Sequence, residues 1–121
     1  MKRVVEEITK RWKALTLLIL TMITILSLLP LAALPPAPGT DKTHHFIAYA
    51  MLMLPVALRK PANWILFGVF FILYSGVIEL IQPFVNRYGE WLDLFANAVG
   101  IICGVIIAWL INSIISLKQA D

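Results

Sequence analysis

Three residues carry most of the reactive chemistry open to this chain: Glu79, Asp93 and His45. Two carboxylates and an imidazole can exchange protons near neutral pH, so acid and base chemistry lies within their reach. The same side chains offer nitrogen and oxygen donors. The sequence has no HExxH-like pair, however, and only Asp41 and His45 share the i, i+4 spacing that sets two ligands on one helical face. On these grounds no metal and no cofactor is expected. No Ser, Cys or Thr stands beside a base in a nucleophile motif, and no glycine-rich phosphate loop is present. The residue types permit an enzyme without specifying one, and catalytic residues stay unassigned.

The elements that must position these groups are apolar. Of 121 residues, 60% are hydrophobic and 14% charged, and the mean hydropathy is +0.86. Those values lie outside the soluble range and point to an all-α membrane protein. A net charge of +3 does not indicate nucleic acid as a partner, because the basic residues gather at the ends of apolar runs and form no stripe interleaved with aromatics. The single cysteine, Cys103, lies inside an apolar run and excludes an internal disulfide or a cysteine-based zinc site.

Hydropathy and breakers predict four transmembrane helices. Residues 1–13 form a basic N-terminus, followed by an uncharged run over 14–34 that reads as the first helix. At about 1.5 Å per residue it spans about 30 Å, the hydrocarbon thickness, and it is too long for the core of a cleaved signal peptide. Trp12 anchors its near edge and Pro30 ends it near the far one. Three prolines make 35–40 an extended loop. The second helix covers 41–58, a turn 59–63 follows, and the third helix covers 64–82 with Asn63 as its cap. Pro83 is expected to push Gln82 out of helical geometry. A loop over 83–89 then leads to the fourth helix at 90–117 and a tail at 118–121.

Charge sorts the two ends of this bundle. Eight of the ten basic residues, all but Lys42 and Arg87, fall on the side of the termini. The positive-inside rule therefore places both termini in the cytoplasm of a multi-pass protein of the bacterial inner membrane. Asp41, Lys42, His44, His45, Tyr49, Glu79, Gln82, Arg87, Glu90, Asp93 and Asn97 then converge at the extracytoplasmic face, and all of these but His44 and Glu90 form the expected functional cluster. Ionisable groups at the edge of a bilayer are functional candidates by default.

Local geometry makes the members unequal. Ser75, Glu79 and Gln82 share one face of the third helix. Glu79 sits at the unfavourable negative end of that helix and is expected to be protonated or paired, with His45 and Arg87 as the cations available. Asp93 lies in the first turns of the fourth helix, where an anion is welcome. Asn97 follows on the same face. Ala96, Gly100, Gly104 and Ala108 form a small-residue stripe that favours close helix packing inside the bundle over a homo-oligomer, since its polar end needs partners.

Two blocks resemble the VanZ-like family of small bacterial membrane proteins. One is Asp41-Lys42-x-x-His45-Phe46-x-x-Tyr49; the other is Glu79-x-x-Gln82 followed by Arg87, Asp93, Asn97 and Gly100. The resemblance covers about residues 40 to 105, within a single domain of about 40–117. It implies a cell-envelope protein whose namesake is associated with reduced susceptibility to the glycopeptide antibiotic teicoplanin. It supplies no reaction. The preferred reading is a polar cluster that engages an amphiphile at the membrane surface, either a lipoglycopeptide or a lipid-linked cell-wall precursor, with membrane lipid as the surrounding partner. One alternative is an intramembrane enzyme using carboxylate acid and base chemistry on a lipid-linked substrate. Another is a helix-packing scaffold for partner membrane proteins.

Overall fold

The computed structural model describes residues 1–29, 41–85 and 90–120, and the side chains of all of these except 41 and 117–120. Five helices follow in order: α1 (Lys2–Lys10), α2 (Trp12–Leu28), α3 (Asp41–Arg59), α4 (Trp64–Ile81) and α5 (Trp91–Ala120), with a 3-10 turn at Gln82–Val85 after α4. The expected loop at 35–40 lies outside the described residues, as do Pro30, Arg87 and the rest of 86–89.

Helix α3 stands in the middle. It packs against each of the other four helices, most extensively against α5, and Leu52, Met53, Val56, Ala57 and Leu58 are buried along it. Its opening turns carry Asp41, Lys42, His44 and His45, which a lipid-facing helix could not expose cheaply. The surrounding helices bury His45 and half-bury Lys42, while Thr43 and His44 stay exposed. The same helices turn their own apolar side chains outward, as with Leu66, Leu73 and Leu80 on α4 and Ile102 and Trp109 on α5.

Contacts along the bundle fix the helix directions. His45 near the start of α3 meets Glu79 near the end of α4, whereas Met53 lies against Gly68 near the start of α4; the two helices are antiparallel. Lys42 approaches Asp93, and Asn112 reaches the Leu58 carbonyl at the other end, so α3 and α5 run parallel. Trp12 stacks edge-on against Phe67, with ring centroids 5.5 Å apart, and Gln82 meets Ser27. Thus α2 and α4 are also parallel, and α2 to α5 alternate up and down.

The close approach of α3 and α5 comes from glycine. A Cβ on Gly100 would run into the Phe46 carbonyl oxygen, and one on Gly104 would sit 2.7 Å from the Ala50 carbonyl oxygen. The two backbones touch through the missing side chains. Ala108, 1% exposed, continues the stripe, and Ala96 is half-buried ahead of it.

Several boundaries differ from the sequence expectation. The basic N-terminus is helical over Lys2–Lys10 and turns by 77° into α2 at Arg11. Val5 and Ile8 pack on the core while the charges of α1 face out, the pattern of an amphipathic helix lying across the end of a bundle. Gln82 keeps right-handed helical angles, φ −51° and ψ −41°. Pro83 is accommodated because the chain tightens into a 3-10 turn, whose first residues need no amide donor. Asn63 occupies the cap position of α4 but makes no side-chain capping bond. Helix α5 runs to Ala120 rather than 117.

Among the described residues, two segments are long and apolar enough to cross a membrane unaided, Trp64–Val85 and Trp91–Ser116, and the bent α1–α2 pair makes a third if taken as one span. Helix α3 does not qualify because its first two turns are charged and polar.

Candidate functional site

Glu79 poses the hardest local problem. It lies in the last turn of α4, where the helix carbonyls disfavour a negative charge. The answer comes from the next helix. The Glu90 backbone amide, just ahead of α5, donates to Glu79 Oε2 at 3.1 Å, so the carboxylate rests on the positive end of α5. Its other oxygen, Oε1, is 3.8 Å from His45 Nε2. The alternative partner, Arg87, lies outside the described residues.

His45 is 8% exposed and faces Glu79, while His44, one residue earlier, is exposed. Helical rotation separates the neighbours by about 100° and sends only one inward.

Asp93 occupies the first turn of α5 and is 2% exposed. Lys42 approaches from α3: its Nζ lies 3.8 Å from Asp93 Oδ1 and 2.9 Å from Glu90 Oε2. The Lys42 side chain is partly exposed, so it closes the cluster from the rim. Donor atoms of His45, Glu79 and Asp93 all fall within 4.8 Å of one another. Three helices therefore deliver an imidazole and two carboxylates to one enclosed point, and such a group can pass a proton, hold a cation or orient a polar headgroup.

The remaining predicted residues take different places. Tyr49 is 1% exposed and within electrostatic reach of Glu79 and Tyr74; Tyr74 in turn hydrogen-bonds Thr24 of α2. Gln82 donates its amide to the Ser27 carbonyl at 3.2 Å, which fastens the end of α4 to the end of α2. Ser75 donates to the Ile72 carbonyl within its own helix, so the stripe of Ser75, Glu79 and Gln82 does not act as one unit. Asn97 is 1% exposed, one turn deeper than Asp93 on the face of α5 that meets α3. Its side-chain carbonyl has no hydrogen-bond partner among the described residues. The Asp41 side chain lies outside them.

Glu90, expected at this face but outside the functional cluster, engages both Glu79 and Lys42. The signal was its place immediately before Trp91, where a helix exposes unpaired amides.

No curated protein and no solved structure matches the chain. The family model described as VanZ/LLP1 matches residues 3–112, which takes in the start of α1, the cluster and most of α5. With that span matched, the chain belongs to the VanZ-like family and is, at the level of that family, a membrane-associated protein of the resistance type.

Proposed function

We propose that the protein is a four-helix bundle of the bacterial inner membrane, with both termini cytoplasmic, that uses the cluster around Glu79 to engage the polar head of an amphiphile at the outer surface. The amphiphile is a lipoglycopeptide antibiotic or a lipid-linked cell-wall precursor. One observation carries this reading: His45, Glu79 and Asp93 are buried together at the end of the bundle opposite Lys10, Arg11, Lys13 and Arg59. Helix α3 completes the fourth crossing against α2, α4 and α5, which bury His45 in its polar opening turns while Thr43 and His44 stay on the open side.

Expressed in a susceptible host, the wild-type chain lowers susceptibility to teicoplanin. Glu79→Gln, Asp93→Asn and His45→Ala each remove the effect while the protein still inserts, checked by membrane fractionation. Unchanged susceptibility across all three variants overturns the reading.

A second reading, an intramembrane enzyme on a lipid-linked substrate, is favoured by the imidazole and carboxylate standing 3.8 Å apart in an enclosed site. Incubation of the purified protein with lipid-linked precursors, followed by mass spectrometry, separates the two, since only the enzyme changes the mass of its substrate. The scaffold reading has less support, because Gly100 and Gly104 are used up inside the bundle.

A further inference from the structure

We infer that His45, Glu79 and Asp93 form a binding site for one divalent transition cation, Zn2+ or Mn2+, set at the polar end of α3, α4 and α5. The spacing of these residues in sequence gives no hint of it, since each comes from a different helix. The fold brings their donor atoms within 4.8 Å of one another, all three side chains buried.

Donor chemistry selects the ion. Ca2+ is held by six to eight oxygens and Mg2+ by a hydrated oxygen octahedron, whereas soft Cu(I) prefers sulfur. One imidazole nitrogen with two carboxylates is a borderline set that suits Zn2+ or Mn2+, and three protein ligands leave coordination positions open. Donors around such an ion, each at about 2.0–2.2 Å, stand about 3.4 Å apart. The cluster reaches that spacing by contracting its separations by at most about 1.4 Å, within the reach of side-chain rotation.

The surroundings supply what metal ligands need. Glu79 Oε2 is held by the Glu90 amide at 3.1 Å, which aims Oε1 at the His45 side of the cluster, as outer-shell hydrogen bonds orient ligating carboxylates. Lys42 lies 3.8 Å from Asp93 Oδ1 but is nearer Glu90 Oε2, at 2.9 Å. An arriving dication leaves it paired with Glu90. A second, independent observation is Asn97: its side-chain carbonyl oxygen is buried one turn below Asp93 without a hydrogen-bond donor among the described residues. A buried acceptor left in that state is costly, and a cation or its bound water in the cluster would supply the missing partner.

This deepens the reading of the cluster as the working site and rests on it only for the anion, a phosphate or carboxylate of the amphiphile, that would fill the open positions. The test uses the full chain purified in detergent. It is loaded with Zn2+ or Mn2+, desalted, and assayed by elemental mass spectrometry. Wild type retains about one ion per chain, and His45→Ala, Glu79→Gln and Asp93→Asn weaken binding by about 100-fold or more. Circular dichroism and size exclusion establish that each variant is folded. Should a variant fail them, pulsed electron paramagnetic resonance of Mn2+-loaded wild type reads the same point directly, because His45 gives nitrogen coupling. Folded wild type that retains no ion, variants that retain as much as wild type, or bound Mn2+ without nitrogen coupling each overturn the site. If susceptibility is lost in the variants while wild type holds no ion, the metal is overturned and the functional cluster stands. If an ion is held at the site while the substitutions leave susceptibility unchanged, the metal stands and the amphiphile reading falls.

Discussion

The two ends of α3 solve the same problem in opposite ways. At its start, charged groups are drawn inward: His45, Glu79 and Asp93 are buried, and Lys42 and Glu90 pair at the rim. At its end, charges are pushed out. Arg59 and Lys60 are exposed, Lys60 lies over the Trp64 ring, and a groove of about 660 Å³ lined by Ala57, Trp64, Trp109 and Ser113 separates the helices. Burying ionisable groups is expensive and leaving them in water is not. The basic end leaves its charges exposed and avoids that cost. The opposite end bears it.

Packing follows the same division, and substitutions can break it. Gly100→Leu at the closed end forces a side chain against the Phe46 carbonyl and destabilises the bundle by about 3 kcal/mol or more, read as a fall in the thermal midpoint in detergent. Ser113→Leu at the open end enters the groove and changes stability by less than about 0.5 kcal/mol. Equal losses at both sites would erase the distinction. Next in size is Lys60, whose φ of 53° is left-handed and terminates α3. Lys60→Gly relieves that strain and raises stability by about 1 kcal/mol in the same melt. A comparably small effect belongs to Asn112→Ala, which removes a long, 3.5 Å bond to the Leu58 carbonyl and costs about 0.5 kcal/mol or less, because a bond of that length is weak.

Much of this arrangement was written locally. Prolines, tryptophans and charge pairs mark the limits of the apolar runs, and the up-and-down order of those runs is enough to bring His45, Glu79 and Asp93 to one end. What depended on tertiary packing was not readable in the same way. Nothing in the order of residues reveals that the Glu90 amide answers Glu79, since that contact needs the start of α5 to stand beside the end of α4. The burial of one face of α3, from His45 through Leu52 and Val56, is likewise a property of its neighbours. The bend at Arg11 was closer to legible, because Val5, Ile8 and Trp12 recur at helical spacing ahead of the uncharged run. Gln82 is a case of a local preference overridden, the 3-10 turn absorbing the proline.

The backbone contact at Gly100 and Gly104 also limits how the protein can move. Sliding α3 along α5 would carry the Phe46 carbonyl off a residue with no Cβ and onto one with a side chain, so the two helices are latched in register. His45 and Asp93 ride on that latched pair as a fixed gauge. Glu79 rides on α4, whose contact with α3 is far slighter. The opening of the cluster to any guest is thus governed by one helix, and the tethers that set it are the Gln82 bond to α2 and the Glu90 amide on Glu79 itself.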